Sequence, residues 1–311
     1  MPEVKDRTGL VRQFEKAGLK VELASRPMMG ALFGPGSDAF QMDINRPKTD
    51  KGPREIFRVW PGHAGNRLEI VGTSEDIQQA VLMVKEPKRD IEIEIPRWQV
   101  ERFKVTNPGT PIFQRNGKFF HKRTTPDVKR HYLLGMDERH YFVCQLPKPA
   151  TTVNDAHRVL KDEKVAETEK KGKVARQGEW FFVQPTPAER GAIEKALKGN
   201  RAILKKKAPI GPEFGFRIGR PHTADELVVV AVATGRTQKN RVETRHGRRP
   251  QEVLSVAVTE IPEVVRTVFI RGKVKHVEHK SVEFLDWVRV YRNTEIRLAP
   301  GNSTNGINWI D

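Results

Sequence analysis

Apolar and polar positions change period several times along the chain, and each change predicts an element. Leu10, Val11, Phe14 and Ala17 recur at helical spacing over 5–17, with Gly18 as a fitting stop. Leu19, Val21 and Leu23 then alternate as a strand does. Gly30, Gly34 and Gly36 mark a turn region. They do not follow a strand and open a helix, which argues against a phosphate-binding loop. Phe40, Met42 and Ile44 alternate, and 56–60 and 68–71 predict two further strands. Thr73 or Ser74 is expected to cap a helix, with Glu75 and Asp76 in its first turn, Ile77, Val81 and Val84 on its apolar face and Pro87 at its end. Ile91, Ile93 and Ile95 alternate with Glu92 and Glu94. The order over 5–96 reads α-β-β-β-β-α-β, with helices on one face of a largely antiparallel sheet.

Beyond 98 the pattern is less regular. Asn116-Gly117 is a hairpin signal, and 141–146 predicts a strand that Pro147 ends. Thr152 caps a helix expected over 153–160. Residues 161–173 are almost wholly charged, with both signs mixed, and predict a solvated helix or linker. A strand is expected at 179–183. Thr186-Pro187-Ala188-Glu189 then has the cap, the early proline and the glutamate of a helix start, and Gly199 suits its end. Val- and Ile-rich stretches at 227–233, 253–258, 264–274, 282–284 and 288–291 predict strands. The fold class is therefore α+β: an N-terminal α/β sandwich module, then a strand-rich sheet or partly closed barrel. The expected divisions are 1–98, 99–173 with the charged linker at its end, and 174–311.

Charge changes this picture more than composition does. The chain has 311 residues and a net charge of +17. Residues 1–98 hold 16 Lys/Arg against 15 Asp/Glu, whereas 99–311 hold 40 against 24. Such asymmetry points to an anionic partner for the second part, nucleic acid (RNA or DNA) first and a membrane surface second. An acidic protein partner is the other candidate. No apolar run approaches the ~18 residues of a spanning helix, no signal pattern opens the chain, and a cytoplasmic protein is the expectation. The single cysteine, Cys144, excludes a disulfide framework and a cysteine-based zinc module. Its place among Tyr, Phe and Val predicts a buried, inert thiol.

Candidate chemistry concentrates between Gly219 and Asn293. His276 and His279 have H-x-x-H spacing. On a strand, positions three apart face opposite ways, so the two converge only if Val277-Glu278 forms a turn or bulge. His222 and Asp225, at the start of a neighbouring strand, would complete a site for a divalent metal such as zinc, manganese or iron. His222, Glu226, His276 and His279 are the corresponding catalytic candidates for a nuclease or phosphoesterase. In a metal-free version the histidines move protons and Arg271 or Arg220 stabilises the phosphorane. The segment 236–249 holds six cations and one acid and predicts a long loop between strands, rich in arginine and suited to phosphate. The binding candidates are Arg236, Lys239, Arg241, Arg245, Arg248 and Arg249, with Lys205, Lys206, Lys207, Arg271 and Lys273. Aromatics interleaved with cations (Phe113, Phe119, Phe120, Tyr132, Tyr141) suit either base stacking or a sheet core, and the core is favoured. No motif names a reaction.

Overall fold

The structure, a computed structural model, describes residues 7–25, 39–45, 55–172, 174–199, 204–211, 221–245 and 254–295, with backbone only for 7–8, 233–245 and 254–264. The glycine-rich stretch at 30–36, Arg220, Arg248 and Arg249 lie outside those residues. The chain divides into two compact units, Met1–Asp162 with Asn293–Asp311, and Glu163–Arg292. Both mix helices with largely antiparallel sheets, a strand-rich α+β architecture. Among the described residues no sheet closes into a barrel, and no helix is long and apolar enough to cross a membrane.

The first unit runs α1 (Arg7–Lys16), β1 (Val21–Leu23), β2 (Gln41–Asn45), β3 (Ile56–Trp60), β4 (Arg67–Ser74), β5 (Gln79–Glu86), β6 (Arg89–Ile95), α2 (Val100–Thr106), β7 (Ile112–Arg115), β8 (Lys118–Thr125), β9 (Val128–Asp137), β10 (His140–Gln145) and α3 (Val153–Val159). Its central sheet has the order β10-β9-β5-β4 and is buried on both faces. Ala80, Leu82, Val84, Tyr132 and Leu134 face a core shared with α1, β2 and β3. The alternate residues Val81, Leu133 and Cys144 face α3. This double burial overturns the helix expected over 74–86. Ile77, Val81 and Val84 mimic helical spacing only because every position of Ala80–Val84 is apolar, as a strand covered on both sides requires. Glu75 and Asp76 sit in the turn that joins β4 to β5, ahead of Gln78 at φ 49°. Pairing of β5 with β9 carries the unit across position 98.

Other local signals hold. Asn116 and Gly117, at φ 51° and 74°, make the left-handed pair that a two-residue hairpin needs. Thr152 Oγ1 accepts from Asp155 N at 3.0 Å at the start of α3. Cys144 is buried on β10. Of the five aromatics, Tyr132 and Tyr141 are core. Phe113 and Phe120 stack at 5.8 Å with Arg115 over the second ring.

The second unit runs α4 (Glu163–Lys171), β11 (Ala175–Gln177), β12 (Trp180–Val183), α5 (Pro187–Lys198), β13 (Leu204–Pro209), β14 (Thr223–Arg245), β15 (Leu254–Lys275) and β16 (Val282–Arg292). Its sheet order is β11-β12-β16-β15-β14-β13. The charged stretch near 161–173 is a helix after all, anchored by a single buried valine, Val165, against Phe181 and Val183. Thr186 and Glu189 close a full capping box at the start of α5. Ile193 of α5 packs on Val228, Val230 and Phe269. The opposite face of the sheet is lined by Trp180, Phe182, Leu227, Val268, Ile270 and Val290.

The arginine-rich segment is not a loop. Over its described residues, 236–245, β14 pairs with β15 out to Arg245↔Leu254; Lys239, Arg241 and Arg245 have register partners, and Arg236 lies on the same strand within the register shift between Ala233 and Thr237. Ladder pairing satisfies the backbone whatever the side chains are, so a polar composition did not prevent a strand. The two strands expected at 253–258 and 264–274 are one, β15. Those expected at 282–284 and 288–291 are also one, β16. Lys205, Lys206 and Lys207 are exposed on β13, at the edge of the sheet, where lysines discourage pairing with a further strand.

Two glycines carry opposite predictions. A Cβ on Gly72 would lie 2.4 Å from Thr151 O and 3.0 Å from Thr152 Cα, both backbone atoms. Gly72→Ala is expected to destabilise the first unit by about 1–3 kcal/mol. Gly191 lies inside α5 with nothing within 4 Å, so Gly191→Ala should stabilise the second by about 0.5–1 kcal/mol. Urea midpoints of the two variants check both signs.

Candidate metal centre

The apolar face of the second sheet runs out at one end of β14 and β15. Ala224 and Val274, both buried on that face, are register partners. With a side-chain period of two, the next same-face pair beyond them is His222 and His276. Their rings stack at 4.2 Å between centroids and 13° between planes. Residues 277–279 form a bend between β15 and β16, and that bend resolves the geometric objection to the H-x-x-H pair. The backbone turns between the two residues, so His279 folds back onto both neighbours. It lies 5.3 Å from the His222 ring and 4.8 Å from the His276 ring.

One nitrogen from each imidazole lies within 4.8 Å of the other two. A point therefore exists no more than about 2.8 Å from all three, against the about 2.0–2.1 Å of a zinc–imidazole bond. The stacked rings aim their lone pairs side by side. Coordination requires each ring to turn until the lone pairs converge, a rotation about a broad, soft torsion.

His222 is the deepest member, 2 % exposed, with its edge against Trp180. Neither of its ring nitrogens has a hydrogen-bond partner within the protein. Leaving such atoms buried and unmet is costly, which makes His222 a candidate ligand. Burial first, then the charges of His276 and His279 when protonated, push the His222 pKa down from 6.5 to about 2. The ring is thus neutral, the form that ligates. His276 Nδ1 accepts from Glu278 N at 3.2 Å, a contact internal to the bend.

The two acids expected beside the histidines do not join them. Pairing shifts register between Ala224 and Glu226, opposite Gly272 at φ 84°. Asp225 Oδ2 accepts the backbone N–H of Lys273 at this irregularity, at 2.9 Å. Asp225 thus serves the backbone and is not one of the grouped ligands. Glu226 is held by Arg271 Nε at 2.6 Å, and that guanidinium lies 4.9 Å over the Trp287 ring. Glu226 is therefore engaged in an ion pair, which sets it aside as a free general base and Arg271 as a free phosphate ligand. Among the described residues the cluster is three histidines without a carboxylate.

Sequence reasoning missed the turn between β11 and β12. An ideal Cβ on Gly178, at φ +57°, would lie 2.9 Å from His279 Nε2 and 3.2 Å from His222 Nε2. Gln177, 3 % exposed, donates from its amide to Lys280 O at 2.6 Å. Nothing in Arg176-Gln177-Gly178-Glu179 beyond a turn glycine signals this role.

The depressed His222 pKa has a definite sign. Below pH 6.5 the unfolded chain takes up a proton at His222 that the folded chain refuses until about pH 2. Stability of the ion-free second unit should fall as pH drops through that window. Urea midpoints at pH 7.5, 6 and 5 should show a decline that is weaker in His222→Phe. No family model, curated protein or solved structure matches this chain.

Proposed function

We propose that the second unit binds a divalent first-row ion, zinc by ligand type, on His222, His276 and His279, and uses it on phosphoesters of nucleic acid. One observation carries the reading: three imidazoles cluster at the end of an apolar sheet face, and the most buried has two nitrogens without a partner. Imidazole sets suit zinc. Three protein ligands leave one tetrahedral position for water, as catalytic sites do and closed structural sites do not. An ion in that place lowers the pKa of its water and stabilises charge on a phosphoryl oxygen. With neutral imidazoles and no carboxylate the ion keeps its full charge, which favours an anionic substrate. Residues 163–292 hold 27 Lys/Arg against 16 Asp/Glu, a basic balance that favours long-range attraction, and Lys205, Lys206 and Lys207 offer exposed cations.

Metal analysis of the purified protein should find close to one zinc per chain. Zinc at about 100 times its Kd should add about 2.7 kcal/mol to the stability of the second unit, read as a rise in Tm. Single- and double-stranded RNA and DNA should be cleaved with metal present and left intact with chelator. His276→Ala should abolish both the thermal shift and the cleavage; cleavage that survives it would sink the assignment.

The second reading is nucleic-acid binding without turnover, favoured by the same charge asymmetry and by the cations at 236–245. Affinity should then fall about 10³–10⁵-fold between 50 and 200 mM salt if six to ten phosphates are contacted. Fluorescence anisotropy across a salt series measures the slope. Absence of binding at the lowest salt excludes both readings for nucleic acid.

A further inference from the structure

We infer that the turn between β11 and β12 is part of the metal site, with Gly178 keeping the ion's place open and Gln177 holding the bend that carries two ligands. The inference rests on the metal reading above and concerns residues that ligate nothing themselves.

Gly178 comes first. The missing methyl would stand 2.9 Å from His279 Nε2 and 3.2 Å from His222 Nε2, with His222 Cε1 at 3.3 Å. An ion shared by those two nitrogens must lie about 2.0–2.1 Å from each, and the rings must turn to reach it, beside the same backbone turn. A carbon atom there would crowd both nitrogens and obstruct the turning that brings their lone pairs together. The backbone at Gly178 is left-handed, φ +57°, so glycine is favoured on two separate grounds, strain and space. Gly117 separates the two. It is also left-handed, φ +74°, but nothing lies within 4 Å of its would-be Cβ. An alanine at 117 introduces strain without obstruction.

Gln177 acts on the bend. Its side-chain amide donates to Lys280 O at 2.6 Å and reaches Val274 O at 3.5 Å, the limit of a hydrogen bond. These carbonyls stand on either side of the stretch that holds His276 and His279. One buried amide therefore ties the two ends of the H-x-x-H bend to a third strand connection. Gln177 is a positioning residue, since it fixes where His276 and His279 can stand.

The test is zinc affinity by competition with a chromophoric chelator, together with the visible spectrum of the cobalt-substituted protein. Wild type, Gly178→Ala, Gly178→Asn, Gln177→Leu and Gly117→Ala are compared. Asparagine accepts left-handed backbone more readily than alanine does and places a Cβ at the same point, so it stands in should Gly178→Ala fail to fold. The expected result is at least a 100-fold loss of affinity in the Gly178 variants and wild-type affinity in Gly117→Ala. Gln177→Leu should lose roughly tenfold and change the cobalt spectrum, which simple destabilisation would not do. Wild-type affinity in folded Gly178→Asn, or an unchanged cobalt spectrum in Gln177→Leu, overturns that residue's role and leaves the metal reading intact. No zinc or cobalt binding by wild type overturns both.

Discussion

The register of β14 on β15 is the constraint on which the candidate site depends. Ala224 faces Val274, so His222 and His276 come next on the same face. A slip of one residue would send one histidine to the opposite face of the sheet and separate the pair. Register here is set by burial. Leu227, Val268 and Ile270 line one face, while Val228, Val230 and Phe269 pack under α5 on the other. Apolar residues on both faces hold the strands in place, and the histidines inherit that precision at the end of the ladder. The contribution of His222 is the opposite of stabilising, because a buried ring with two unmet nitrogens costs free energy.

Charge is handled locally wherever it meets the sheets. Arg289 pairs with Glu189 and stacks over Tyr291, while Glu189 also completes the capping box with Thr186. In the first unit Arg130 pairs with Glu86, whose other oxygen accepts from Phe40 N. Each of these acids satisfies more than one donor, the condition under which a buried ion pair is tolerated. Asp225 and Glu226 follow the same pattern, one on a backbone N–H and the other on Arg271. Acids that sequence proximity assigned to a metal are thus used to mend a bulge and to neutralise a guanidinium. His222, with neither ring nitrogen hydrogen-bonded, has no such structural employment.

Legibility in the sequence followed the range of the interaction. Asn116-Gly117, the Thr186–Glu189 box and the Thr152 cap act over two to four residues, and each was read correctly from its own letters. The hairpin at 67–86 was misread because its second strand is apolar at every position from Ala80 to Val84. Period then disappears, and a helix and a doubly buried strand look alike. The segment 236–249 was misread for the converse reason. Its composition is that of a solvated loop, and only the pairing of 237–245 with 254–262 makes that part a strand. H-x-x-H at 276–279 could be judged only conditionally, since its meaning turned on whether the backbone bends between the two rings.

By itself, the sequence determined an α+β protein with a neutral first part and a basic remainder, several of its caps and turns, and a buried cysteine. It also narrowed the chemistry to a handful of histidines and acids. Tertiary structure decided which of those meet. It brought His222, His276 and His279 together, removed Asp225 and Glu226, and added Gln177 and Gly178 from a turn that carries no motif. The physical reason is that caps and turns are settled by bonds between near neighbours. A three-imidazole cluster depends instead on strand register, on a bend in one connection, and on the absence of a single methyl group in another.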